Sequence, residues 1–422
     1  MHRRSVLKAA LAASAFGMLT PAMARAAAPA RVVVIGGGYG GATAARYLRT
    51  WSQGAVDVTL VEPDAAFVSC PLSNLVVGGF RQLGDLTIAY DKLASRHGVK
   101  VVRDHAAAID TSRRQVRLAG GTTLPYDRLV LSPGVEMQRS AIPGLATPAG
   151  SQFVHAWKAG PETETLRRQL AAMPDGGTFA ITIPLAPYRC PPGPYERACV
   201  VADYLTQHKP RGKVLVLDAN ADITSKGALF REVWKTRYAG MIEYRPQHET
   251  VDLDPVTRTI KFDVQDDVRA DVINILPPQR AGAIAVSAGL ATANGRWCEV
   301  DFLTMASRVA PDIHVLGDAI QIAPLMPKSG TMASQHGKVA AAAILQLLAG
   351  RQPDPAPLYT NTCYSFTSAT EAIHIASVHR YDATEKTMLT VPGSGGLSTA
   401  PSALEGQYGV AWARSIWGDM LG

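Results

Sequence analysis

The segment 187–196, PYRCPPGPYE, sets a cysteine, Cys190, among four prolines within eight residues: Pro187, Pro191, Pro192 and Pro194. It follows an apolar, strand-like run, FAITI at 179–183. An oxidoreductase with two dinucleotide-binding halves would carry its second glycine-rich phosphate loop here. Each proline removes a backbone N–H, and a pyrophosphate cradle is built from those donors. The segment therefore gives up a nucleotide and gains a thiol. That points to sulfur redox chemistry and away from oxidation of a nicotinamide. Cys190 is expected on a rigid loop at the carboxyl end of a strand, where open α/β sheets hold their ligands.

The cysteines are Cys70, Cys190, Cys199, Cys298 and Cys363. The odd number leaves at least one of them unpaired. There is no C-x-x-C and no C-x-x-C-H, so neither a thioredoxin-like dithiol nor an attached c-type haem is expected, and no Cys/His cluster suggests a metal. Cys363, in YTNTCYSF at 359–366, follows a long helical run and a Pro-containing linker. A Cys190–Cys363 bridge would be long-range, and either redox-active or purely structural. Cys199 lies in a helical run at 197–205 and reads as a small buried apolar residue. It remains a rival partner for Cys190. Cys298 carries no motif.

The first part of the chain must position these groups, and it reads as a dinucleotide site. The apolar run VVVI at 32–35 is a buried parallel strand, followed at once by GGGYGG at 36–41, a helix-compatible ATAARYL at 42–48 and a second strand at 56–61 ending on Glu62. In this βαβ unit Gly36 permits the turn, Gly38 lets the backbone approach the pyrophosphate and Gly41 permits close helix–strand packing. Glu62 accepts from the ribose. IHVLGD at 313–318 reads as a strand delivering Asp318 to a ribityl chain. The helix expected at 330–344 presents its positive end to the flavin, and YDRLVLSPG at 126–134 reads as the crossover closing this domain. FAD is favoured over NAD. Cys70, in FVSCPLSNL at 67–75, lies where a loop passes the flavin and is either structural or a covalent anchor. Lys328 either neutralises charge on reduced FAD or is a surface lysine. Glu196 moves protons near Cys190 or, the reading its loop-like setting favours, is a solvated or ion-paired loop carboxylate.

The N-terminus, MHRRSVLK followed by an apolar stretch at 9–18 and small-residue cleavage sites near 24–26, reads as a twin-arginine export signal over 1–26, directing the protein to the periplasm. Its apolar stretch is too short to span a bilayer, and no other run is long enough. Losing Arg3, Arg4, Lys8 and Arg25 reduces the formal charge of +7 to +3. With no basic run interleaved with aromatics, no nucleic-acid partner is expected. The organisation expected is α/β, with two Rossmann-like halves and a small C-terminal α+β domain. The FAD-binding domain takes 30–150 and 290–350. A degenerate NAD-like domain at 151–289 carries Cys190, and 351–422 carries Cys363. Tyr408, Trp412 and Ile416 form one stripe of a short last helix, expected to pack on its own core.

Taken together, these residues resemble the flavoprotein subunit of flavocytochrome c sulfide dehydrogenase, a glutathione-reductase-like branch beside the sulfide:quinone reductases. PYRCPPGPYER at 187–197 is the most specific part, with SCPLSN at 69–74. The resemblance implies a redox-active Cys190–Cys363 disulfide, FAD joined to Cys70 through its 8α-methyl group, and oxidation of sulfide to sulfur or polysulfide. It also implies electron transfer to a separate cytochrome c subunit in a heterodimer. The alternatives are a sulfide:quinone reductase, or a non-catalytic flavoprotein partnering a sulfur-oxidising complex.

Overall fold

In the computed structural model residues 28–422 are described; the expected export signal lies outside them. The run VVVI becomes the strand Arg31–Ile35, set inside a seven-stranded sheet. Arg128–Leu131 and Asp57–Val61 flank it in parallel, and Ile313–Val315 and Lys100–Val102 extend the parallel set on either side. A short antiparallel pair, Val300–Asp301 and Ala306–Ser307, completes one edge. Val32, Val34, Leu60, Leu129 and Val130 are almost wholly buried, as expected where both faces of a parallel sheet are covered. The helix Tyr39–Trp51 packs along Gly330–Leu348, joining the glycine loop to the far end of the domain. The second helix reaches four residues past its expected end, and Ser329 caps it by accepting from Met332 N.

The second sheet has four parallel strands in the order Ile242–Arg245, Lys213–Asp218, Thr178–Ile183 and Val272–Ile275. The helix expected from 197 begins earlier, at Gly193, and runs to His208. Pro192 stands at its cap and Pro194 in its first turn, where a missing N–H deprives the helix of no internal bond. The prolines that remove a phosphate cradle therefore also start the helix.

The C-terminal part is an antiparallel sheet of Leu358–Phe366, Ala372–Asp382 and Thr387–Thr390, covered by the helix Ala403–Leu421. That helix has 19 residues and is not short. Nor is the expected aromatic stripe its buried face: Ile416 is buried, but Tyr408 is 50 % exposed. The buried face runs through Gly406, Gly409, Ala413, Ile416 and Met420. Small residues let the helix lie against the sheet, where a Cβ on Gly409 would stand 3.1 Å from Tyr364 Cβ. The chain is thus α/β, with two Rossmann-like halves and a C-terminal α+β layer. Among the described residues no helix is long and apolar enough to cross a membrane.

Candidate active site

The glycine loop leaves the first strand through Gly36, whose φ of +93° and 2.3 Å approach of a notional Cβ to Ser132 O exclude any side chain. A Cβ on Gly41 would stand 1.9 Å from Gly36 O, so helix and loop can meet only over a glycine. Gly38, in contrast, faces open space. Glu62, just past the second strand, accepts from Gly37 N (2.6 Å) and Asp64 N (3.0 Å), bracing the loop from the acid position. Asp318 lies in a tight turn, Gly317–Ala319, after the strand Ile313–Val315. One of its carboxylate oxygens is buried without a partner. A buried acceptor left unmatched is costly, and a ligand hydroxyl would satisfy it. A bare cradle at Gly38 and an orphaned acid beyond it fit FAD.

Lys328 is no surface lysine: it is 3 % exposed. Its Nζ donates to Asp318 O (2.8 Å) and Ile320 O (2.6 Å) and lies 3.6 Å from the Trp297 ring centroid. Burial pulls its ammonium down to about 7, against the pull of Asp318.

The Cys190 loop is held to its surroundings residue by residue. Cys190 N donates to Lys328 O (2.9 Å), which ties the loop to the first domain. Arg189 N donates to Gln279 Oε1 (2.9 Å), Trp157 Nε1 to Arg189 O (3.0 Å) and Arg296 Nη2 to Pro187 O (3.0 Å). Cys190 itself has φ +57°, a left-handed conformation that a non-glycine residue adopts only when its surroundings fix it. Glu196, six residues on, is not the solvated loop carboxylate its sequence setting suggests. It sits in the first turn of the helix Gly193–His208, 6 % exposed, and its Oε1 accepts from Phe366 N (3.1 Å). The helix start that the prolines move forward is what carries it inward. This bond stitches the Cys190 helix to the strand bearing Cys363.

Cys363 enters the same cluster from Leu358–Phe366, and its carbonyl accepts from Lys226 Nζ (2.9 Å). All five cysteines are free thiols in this structure. Burial raises the Cys190 thiol well above its ordinary range, and the neighbouring charges of Cys363 and Glu196 raise it further. Burial likewise raises Cys363, while Lys226 draws it down. Burial pushes Glu196 up to about 7, against its bond from Phe366. Two half-buried sulfurs, a buried carboxyl and a buried ammonium thus share one site.

Cys70 stands at the edge of this group, its Sγ accepting from Ala159 N and from Arg189 Nη2, both at 3.4 Å. Arg189 therefore joins the loop of one expected functional cysteine to the side chain of another. The remaining two cysteines lie elsewhere. Cys199 is buried on the helix with Trp234 Nε1 donating to its sulfur (3.1 Å), and burial pushes it up to about 12. Cys298 is buried in the first domain's core.

At the end of the strand Lys213–Asp218, where a nucleotide-binding half offers an acid to a ribose, both Asp218 oxygens are already engaged. Tyr195 (2.7 Å) and Tyr244 (3.1 Å) donate to one, and Asn220 N (2.9 Å) and Nδ2 (2.8 Å) to the other. Tyr195 comes from the first turn of the proline-started helix.

Sequence reasoning did not single out Arg189 or Lys226. Arg189 adjoins Cys190, and that adjacency was an available signal. Lys226 lies 137 residues from Cys363 and had none.

Three family models match this chain. They are the central part of the sulfide dehydrogenase (flavocytochrome c) flavoprotein chain over 163–277, the flavin-binding part of flavocytochrome c sulphide dehydrogenase over 355–421, and pyridine nucleotide-disulphide oxidoreductase over 30–171. The sulfide dehydrogenase (flavocytochrome c) flavoprotein chain of Chlorobaculum thiosulfatiphilum is 61 % identical over 46 residues, which span 11 % of this chain and 94 % of that sequence. The mitochondrial sulfide:quinone oxidoreductase of Dictyostelium discoideum is 24 % identical over 316 residues, 72 % of this chain and 67 % of that one. Among solved structures, the sulfide:quinone oxidoreductase of Aquifex aeolicus superposes with a TM-score of 0.76 at 18 % identity, over 93 % of this chain and 91 % of that one.

Proposed function

This chain belongs to the flavoprotein chains of flavocytochrome c sulfide dehydrogenase, and from that premise we propose that it oxidises sulfide through Cys190 and Cys363 and delivers the electrons to a cytochrome c subunit. The observation that carries this reading is the bond from Phe366 N to Glu196 Oε1, which gathers the Cys190 helix and the Cys363 strand around one buried acid.

FAD supplies an acceptor that takes two electrons and releases them singly; Gly36, Gly38, Gly41, Glu62 and Asp318 would hold it. The chain's own steps are thiol–disulfide chemistry. Hydrosulfide attacks the Cys190 sulfur of the bridged pair. A new S–S bond forms, the bridge breaks, and the pair becomes a Cys190 persulfide and a Cys363 thiolate. Re-forming the bridge with release of the outer sulfur as sulfane sulfur also sets free one proton and two electrons, and FAD, when bound, would accept the electrons. Glu196, poised near neutrality, takes the proton. Lys328, buried beside Asp318, would offset negative charge on the reduced cofactor. Cys70 would fix the cofactor covalently, which suits a protein exported to the periplasm, where lost FAD is not replaced.

A second reading, electron delivery to a quinone, draws support from the last helix. Its 19 residues and its exposed Leu404 and Tyr408 offer a membrane surface a longer face than the short helix expected from the sequence.

Sulfide-driven reduction of a c-type cytochrome tests the first reading. Cys190→Ser and Cys363→Ser should each lose at least ~100-fold of the rate, the scale of removing a nucleophile. Turnover that survives either change removes the cysteine pair from the account. Faster turnover with a soluble quinone than with cytochrome favours the second reading. Acid precipitation of the same preparations reports on Cys70, because colour left in the supernatant argues against the covalent bond.

A further inference from the structure

Lys226 is a buried lysine, 5 % exposed, that the steps above leave without a role. It immediately precedes the helix Gly227–Thr236 with a backbone φ of +58°, uncommon for a long side chain. Its Nζ donates to Cys363 O (2.9 Å), Ser365 Oγ (2.8 Å) and Ile373 O (3.4 Å). An ammonium has three N–H donors, so all are used and none is left to bond a thiolate directly. The contacts pin both strands of the Cys363 hairpin, and the charge acts on the sulfurs through space.

The charges facing Lys226 come from every element around it. Cys363 is on the hairpin, Glu196 and Cys190 are on the proline-started helix and its loop, and Glu405 is on the last helix. The charges of Arg197 and Arg189 draw Glu196 and Cys190 down in turn. Burial lowers the Lys226 ammonium, and those anionic neighbours raise it again. Glu196 takes up a proton near neutrality. The Lys226 charge is held by its three bonds in a buried site, where charges interact far more strongly than in water. Such a site attracts an anion.

We propose that Lys226 is the positioning cation of this site, drawing hydrosulfide to the cysteine pair and stabilising Cys363 as the thiolate that leaves when the bridge opens. The inference rests on the sulfide reading, and the alkylation arm of its test does not need sulfide. The FAD-loaded protein, with its cysteines reduced, is treated with iodoacetamide across a range of pH, and each cysteine is followed by peptide mass. In the unmutated protein Cys363 should alkylate at lower pH than Cys190; the reverse order overturns the proposal. Lys226→Gln keeps a donor for Cys363 O and removes the charge. It should move the Cys363 midpoint up by about one unit, a ~10-fold loss of thiolate at neutral pH. The KM for sulfide should rise by a similar ~10-fold with a smaller change in kcat. Lys226→Arg should restore both. A native alkylation profile in Lys226→Gln, or a Lys226→Arg as impaired as Lys226→Gln, contradicts the proposal. Should Lys226→Gln fail to fold, the order of alkylation in the unmutated protein still decides. A protein that ignores sulfide but shows the alkylation shifts would sink the sulfide reading and the drawing of hydrosulfide with it, and leave only the Cys363 thiolate role of Lys226 standing.

Discussion

Glu196 shows how far one residue's setting departs from its sequence neighbourhood. A carboxyl in a proline-rich stretch suggests solvent, yet the folded chain buries it and holds its proton up to about 7 against an ordinary 4.5. The folded state therefore binds that proton more tightly than the unfolded state does. The resulting stability is full below the ordinary value and is lost as pH rises through about 7. Glu196→Gln should accordingly be more stable than the native protein in urea at about pH 8, on the order of 2 kcal/mol, with the gap closing by about pH 4. A gap that does not change with pH contradicts the burial argument. The cysteines were legible because their types and motifs are rare: PYRCPPGPYER and SCPLSN each singled out a sulfur. Lys226 was not legible. Lysines are common, and only the return of the Cys363 hairpin gives this one a partner.

Elements were legible where a pattern has one physical meaning. The first βαβ unit folds as read, because the glycine spacing, apolar strand and terminal acid each demand the same geometry. The helix after Cys190 was read four residues too late, since prolines signal an interruption unless they fall in a first turn. The last helix was misread because its aromatic stripe is more conspicuous than its small-residue stripe, and the small residues are the ones that pack. That packing has a direct consequence. A Cβ on Gly406 would stand 1.9 Å from Thr370 O, a backbone atom with little room to yield. Gly406→Ala should therefore destabilise the protein at the upper end of the ~1–3 kcal/mol typical of overpacking. Thermal unfolding checks it, and a native melting temperature would mean that the helix lifts off the sheet at little cost.

At the scale of the whole molecule, the site exists only where three layers meet. The first half provides the cradle, Asp318, Lys328 and Cys70. The second half provides Arg189, Cys190, Glu196 and Lys226, and the C-terminal sheet provides Cys363. The order of the layers could be read from the sequence, but their junction could not. It is made by bonds between distant residues, among them Cys190 N to Lys328 O, Phe366 N to Glu196 and Lys226 to the Cys363 hairpin. The second half keeps a nucleotide-binding topology while Tyr195 and Tyr244 occupy the acid a ribose would need. The electron donor is therefore expected to arrive at the cysteines and not at that sheet. An anaerobic absorbance titration of the FAD-loaded protein with sulfide, run beside one with NADH, tests this most directly. The account predicts stoichiometric bleaching of the flavin by sulfide and none by NADH. Bleaching by NADH with sulfide inert would contradict it.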